Sequence, residues 1–299
     1  MITMKQVLAL MFVSVLGLPS ALGAEDRPTP ENVEMPYGDN SEGGQFIQVN
    51  GIRLYCETYG KGPPLLLIHG NGASINAMRY QIECFSRRYH VIAADSRGHG
   101  KSELGTGRLT YEQMAEDLNQ LLERLNLKPV HIVGWSDGGI LGLLLAMEHP
   151  EKVGRLALMG ASLRPDGAYD WAPEGVTRDL AHVESMISEG DVSKPWQAIR
   201  QQLLLCIEQP NIPTFRLRAV QAPTLVMAGD RDIIRDTHTL EIFHALPNAQ
   251  LCIFPGATHG IPRENPAQFN KTVDFFLENP FRCPDSKNGF TEPLSQIPK

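Results

Sequence analysis

This chain of 299 residues predicts an α/β fold, a largely parallel sheet with helices on both faces. Three observations carry that expectation. Short apolar, strand-like runs alternate with helical stretches along most of the chain, the pattern of parallel strands joined by crossover helices. A serine between glycines stands where one such strand passes into a helix. Apolar residues make up 42% and charged residues 20%, so a sizeable core can be buried.

The elements follow in order. Residues 1–23 read as a secretory signal peptide: Lys5 is followed by an apolar run over 7–18 that is too short to span a bilayer. Small residues Ser20, Ala21, Gly23 and Ala24 come next. Export with cleavage after Gly23 or Ala24, to a secreted or periplasmic location, is expected. Residues 24–44 are rich in Pro, Glu, Asn and Gly and read as a linker. Residues 45–50 and 52–59 read as two strands joined by Asn50-Gly51, a strong hairpin signal. Residues 64–68 form a continuous apolar run, as expected of a strand covered on both faces. A helix over 74–88 and a strand over 90–94 follow. The helix at 110–126 opens with Thr110 and Gln113 as a capping box and Leu109 with Met114 as a hydrophobic staple. Then come a strand at 130–134, a helix at 138–148 and a strand at 153–159. Further strands at 224–228 and 250–254 alternate with helices at 236–245 and 266–278. The last helix has Asn265 as N-cap and Pro266 at its first position. Residues 162–220, with Trp171 and Trp196, have helical segments but no comparable strand. They read as a cap inserted into a core of 45–161 and 221–281, over the strands' carboxyl ends where such sheets bind ligands. Residues 282–299 read as a flexible tail.

A net charge of −7 argues against nucleic acid as a partner, and it gives no general attraction to anionic lipid. A small molecule is the expected partner. The five cysteines, Cys56, Cys84, Cys206, Cys252 and Cys283, match no zinc or CxxC spacing. Neither a metal nor a cofactor is called for.

The chemistry concentrates in Gly134-Trp135-Ser136-Asp137-Gly138-Gly139, a G-x-S-x-G motif between a strand and a helix. Side chains two residues before and after the serine would collide in so sharp a turn, hence the glycines. Ser136 is the candidate nucleophile. His69-Gly70-Asn71-Gly72 ends an earlier strand and allows backbone to approach a substrate closely. The N–H groups of Asn71 and Asp137 are therefore the candidate oxyanion hole. The base and acid should follow in the order Ser, Asp or Glu, His. His259 sits in a loop before the last helix. Asp230 and Asp232, in Gly229-Asp230-Arg231-Asp232, both qualify as its carboxylate. His99, His149 and the other histidines read as surface or structural residues, and His69 as a buried, hydrogen-bonded one.

These motifs resemble the α/β-hydrolase superfamily across nearly all of the chain after the signal. Asp95-Ser96-Arg97-Gly98-His99-Gly100-Lys101-Ser102 is similar to that family's D-x-R-G-x-G-x-S turn. Residues 229–232 resemble its G-x-x-D acid loop, which favours Asp232 over Asp230. The resemblance implies an eight-stranded sheet with only the second strand antiparallel, and a Ser136–Asp232–His259 triad acting on carboxylic esters. Amide, lactone or C–C bond hydrolysis and acyl transfer run on the same machinery, and a silent binding protein on this scaffold is the remaining alternative. Epoxide and haloalkane chemistry is disfavoured, because those relatives carry a carboxylate where this chain has Ser136. The Gly134–Gly139 stretch is also similar to the elbow of the biphenyl-hydrolase-like branch, which includes valacyclovir hydrolase. There the acidic residue after the nucleophile meets the ammonium group of α-amino acid esters. The likeness implies that role for Asp137, with Trp135 beside it as a further substrate contact. Helix initiation, which favours negative charge, would account for Asp137 as well. In the resembled fold the first crossover helix and the last helix share a face, which implies that Cys84 and Cys283 can form a disulfide tethering the tail.

Overall fold

The computed structural model describes residues 36–283. The expected signal peptide, most of the linker and most of the tail lie outside these residues.

Eight strands form one sheet in the order β1-β2-β4-β3-β5-β6-β7-β8. They are β1 (Gly44–Val49), β2 (Ile52–Tyr59), β3 (Pro64–Ile68), β4 (His90–Ala94), β5 (Val130–Trp135), β6 (Val153–Met159), β7 (Thr224–Arg231) and β8 (Ala249–Thr258). Only β2 runs against the rest, pairing antiparallel with β1 and β4. The parallel strands alternate their side chains between two cores, because successive residues point to opposite faces. Leu65, Leu67, Val91 and Ala93 face one cluster, and Leu66, Ile68, Ile92 and Ala94 face the other.

Helices cover both faces. On one side lie α1 (Arg79–Phe85) and α8 (Pro266–Glu278), burying Ile82, Phe85, Phe269, Val273 and Phe276. On the other lie α2 (Tyr111–Arg124), α3 (Asp137–Glu148) and α6 (Asp236–Ala245). A one-turn helix, α7 (Ile261–Glu264), precedes α8. Every residue of α3 up to Met147 is buried, as its sequence Asp-Gly-Gly-Ile-Leu-Gly-Leu-Leu-Leu-Ala-Met requires.

Residues 162–220 hold α4 (Trp171–Ser188) and α5 (Trp196–Glu208), with short 3₁₀ turns and no strand. Val183, Trp196 and Leu203 form their own small core with Val176, Leu180 and Ile199 around them. Trp171 remains 40% exposed. Glutamines dock α5 on the sheet's carboxyl-end loops: Gln202 donates to Gly98 O (2.6 Å), and Gln201 accepts from Leu109 N (2.5 Å).

Three expectations need correction. The helix expected at 74–88 is a 3₁₀ turn, Ile75–Met78, followed by the short α1. Its end is set by tertiary structure: a turn closed by Arg88 N–H on Phe85 O (3.0 Å) redirects the chain into β4. The capping box of α2 is only half made. Thr110 Oγ1 accepts from Gln113 N (3.1 Å), but the Gln113 side chain reaches forward to Asp117 (3.1 Å). The Cys84–Cys283 bridge is not formed, and all five cysteines are free thiols. Helices α1 and α8 do share a face, but the chain runs on past α8 to the edge strand. There Cys283 Sγ donates to Ala249 O (3.4 Å).

Candidate active site

Ser136 occupies the junction of β5 and α3 with φ 56° and ψ −116°, a conformation that residues with a β-carbon rarely adopt. Sterics explain the flanking glycines. A Cβ on Gly134 would lie 2.2 Å from Gly138 O, and one on Gly138 would lie 2.1 Å from Ile68 O. Main-chain bonds fix the turn: Ser136 N donates to Met159 O (2.7 Å), and Ser136 O accepts from Gly139 N (2.8 Å). The loop after β3 crosses directly over the serine, so that a Cβ on Gly70 would sit 3.1 Å from Ser136 Cβ.

Asp232 and His259 arrive on the loops after β7 and β8. His259 Nδ1 and Asp232 Oδ1 are 2.7 Å apart, and both residues are 6% exposed. Their ring and carboxylate close over Gly160, where a Cβ would be 2.5 Å from the imidazole. Gly160 follows Met159, the residue that accepts from Ser136 N, so the pair stands beside the serine turn. Trp135 Nε1 donates to His259 O (2.8 Å), which anchors the histidine loop. Asp230 is exposed and takes no part in this pair, which separates the two candidate acids.

Electrostatics suit a base held by an acid. Burial disfavours the charged form of His259, but the Asp232 carboxylate outweighs burial and the ring's pKa is raised. Burial likewise works to raise Asp232; the facing ring and the N–H groups of Ile234 (3.0 Å) and Gly229 (3.3 Å) outweigh it, and the net shift is downward. His69 cannot act as a base here. Its Nε2 accepts from Ser96 N (3.0 Å), its Nδ1 lies 2.7 Å from Gly70 O, and burial lowers its pKa to about 4. His99 is buried too, and burial lowers it to about 3. His149 faces Glu116 at 3.0 Å.

Asn71 and Asp137 meet through their side chains, with Asn71 Nδ2 donating to Asp137 Oδ2 (2.9 Å) and to Gln202 O (3.0 Å). Tyr111 adds a second hydrogen bond to Asp137. Asp137 is 6% exposed, and burial raises its pKa to about 6. Gly160, Tyr111 and Gln202 are the site residues the sequence reading did not name. Only Gly160 had a local signal, a glycine ending the strand that follows the serine motif. Among the described residues, no group of three or more His, Cys, Asp or Glu side chains could hold a metal ion, and no helix is long and apolar enough to cross a membrane.

Comparison with known proteins places this arrangement. Residues 63–186 match the family model of the alpha/beta hydrolase fold. The chain is 36% identical over 254 residues to the putative carbamate hydrolase RutD of Azorhizobium caulinodans, covering 74% of this chain and 93% of that one. It is 30% identical over 261 residues to a 2-hydroxy-6-oxo-6-(2'-aminophenyl)hexa-2,4-dienoic acid hydrolase of Metapseudomonas resinovorans, covering 77% and 90%. It is 27% identical over 264 residues to the serine hydrolase BPHL of Mus musculus, covering 78% and 85%. The chain therefore belongs to the α/β-hydrolase family and is a hydrolase of that fold.

Proposed function

We propose that this hydrolase cleaves carboxylic esters of small substrates through an acyl-enzyme on Ser136. The supporting observation is the buried Asp232–His259 pair closed over Gly160, beside the strained serine turn. In this reading His259 Nε2 takes the Ser136 hydroxyl proton as Oγ attacks the ester carbonyl. Asp232 holds Nδ1–H, fixing the tautomer and stabilising the imidazolium. The tetrahedral oxyanion lies against the N–H groups of Asn71 and Asp137; the latter opens α3, where no intrahelical acceptor exists. The imidazolium then protonates the leaving alcohol. Water, activated by the same ring, releases the acid.

Ser136→Ala should abolish ester turnover with the fold intact, a loss of several orders of magnitude. A fluorophosphonate should label wild type at Ser136 and leave the variant unlabelled. An unlabelled wild type would favour a silent binding protein. A panel of esters, lactones, amides and C–C substrates fixes the bond; the names of the relatives span more than one of these chemistries. The α-amino acid ester reading of Asp137 draws on the likeness to BPHL. It requires a preference for an amino ester over its desamino analogue that Asp137→Asn abolishes. Export after removal of residues 1–23 is part of the proposal, and the mass of the mature N-terminal peptide tests it.

A further inference from the structure

We infer that Asp137 is a positioning residue, whose carboxylate holds the Asn71 side chain and through it keeps the oxyanion loop in register with Ser136 and the cap. The inference rests on the acyl-enzyme reading above. Its basis is a chain of contacts that spans three parts of the fold. Asp137 begins α3, directly after the nucleophile. Its Oδ2 accepts from Asn71 Nδ2 at 2.9 Å. The same amide donates to Gln202 O of cap helix α5 at 3.0 Å, so both Nδ2 protons are used. Tyr111, 1% exposed at the start of α2, lies beside both Asp137 and Asn71. Gln202 in turn donates to Gly98 O at 2.6 Å.

The consequence is geometric. An oxyanion donor works only where the developing charge appears, and the Asn71 N–H sits on a loop between Gly70 and Gly72, whose missing side chains leave few local contacts to fix it. The loop needs an external brace. Asn71 supplies it by spending its side chain, and not its backbone N–H, on Asp137 and the cap. The carboxylate is well suited to the task because it accepts only, and both of its protein partners are neutral donors. Cys206 of α5 and His259 are the titratable groups near it, besides Tyr111. Burial raises the Asp137 carboxyl to about 6, although Tyr111, Asn71 and the nearby His259 each work against it. An ammonium-binding role would require substrate to enter this enclosed site and share the carboxylate with Asn71 and Tyr111.

The test uses the full chain and a matched pair of substrates, an ester and its thionoester. Sulfur is a poor acceptor, so the ester-to-thionoester ratio of kcat reports the oxyanion hole itself. Asp137→Ala is expected to lower kcat for the ester about tenfold to hundredfold with KM changed less than about threefold, and to collapse the ratio. Asp137→Asn keeps an oxygen that can accept from Asn71, and should retain kcat within about tenfold and preserve the ratio. An unchanged ratio in Asp137→Ala overturns the inference, as does an Asn variant as impaired as the Ala variant. Should Asp137→Ala fail to fold, Asn71→Ala removes the brace from the other end and keeps the backbone N–H; a collapsed ratio supports the inference and an unchanged one overturns it. Failure of the underlying mechanism would show separately, as a wild type that neither turns over the ester nor labels with a fluorophosphonate, and the inference would fall with it.

Discussion

Replacing Asp232 by asparagine removes a charge and leaves the shape. Asp232 Oδ1 faces both His259 Nδ1 (2.7 Å) and Ile234 N (3.0 Å), while Oδ2 accepts the longer bond from Gly229 N (3.3 Å). An amide fits best with its oxygen on the first pair and its NH₂ against Gly229, so His259 can keep its orientation. What disappears is the charge facing the imidazolium that forms in the transition state. Two unit charges at that separation and an effective dielectric of about 20 interact by about 6 kcal/mol, which corresponds to about four orders of magnitude in rate. The amide dipole restores part of this, so a drop in kcat/KM of about 10³- to 10⁴-fold is expected. The pH profile should move as well. In the proposed mechanism a neutral His259 is the base, and its raised pKa puts the acid limb of the wild-type kcat/KM profile above the ordinary imidazole value of about 6.5. Without the carboxylate, burial is opposed only by the smaller contributions of Asp137 and Glu264, and the limb should shift to lower pH. Steady-state kinetics between about pH 5 and 9, with Asp230→Asn as control, measure both effects. A loss below tenfold, or an equal loss in the Asp230 variant, would refute the assignment of Asp232.

Two further predictions concern the fold around the site. Gly138→Ala places a Cβ 2.1 Å from Ile68 O, and neither backbone can move without opening the serine turn. A destabilisation of about 3 kcal/mol should appear as a lowered urea midpoint, and an unchanged midpoint would show that the turn relaxes freely. Asp137→Asn should change stability in a pH-dependent way. Its carboxyl has a folded-state pKa of about 6, above the unfolded value of about 3.9, so the folded protein binds the proton more tightly. The wild type therefore loses stability as pH rises between those values and carries the full penalty above about 6. The variant should be the more stable protein at pH 8, by on the order of 3 kcal/mol at most, and this advantage should vanish near pH 4. Urea unfolding at the two pH values measures it; a variant less stable at pH 8 would contradict the burial cost.

How far the sequence reads depends on how local the cause is. The glycines at 134 and 138 follow from a clash within one turn, so their meaning is visible in six residues. The strands were legible because their alternate residues supply two cores, as Leu65 and Leu66 do on opposite faces of β3. Asp230 and Asp232 could not be separated by the residues alone. Asp230 lies at the end of β7 with its side chain in solvent, whereas Asp232 sits just past the strand, where the loop curls its carboxylate onto the N–H groups of Gly229 and Ile234. Tyr111 and Gln202 were out of reach because their roles arise from packing between distant segments; Asn71 and Gln202 are 131 residues apart. Helix 74–88 was overestimated for the same reason. Ser86, Arg87 and Arg88 are compatible with a helix, but the chain must turn into β4 there.

The cap's acceptor for Asn71 is the main-chain carbonyl of Gln202, an atom that every amino acid possesses. Lineages that exchange side chains along α5 to admit new substrates can therefore do so without giving up this contact. What they cannot change freely is where the helix lies, because a shift in its axis would carry the carbonyl away from the loop above the nucleophile. If the brace acts as inferred, point substitutions in this helix that spare the docking side chains of Gln201 and Gln202 should leave turnover intact, whereas insertions, deletions or wholesale cap grafts that move it should cost rate.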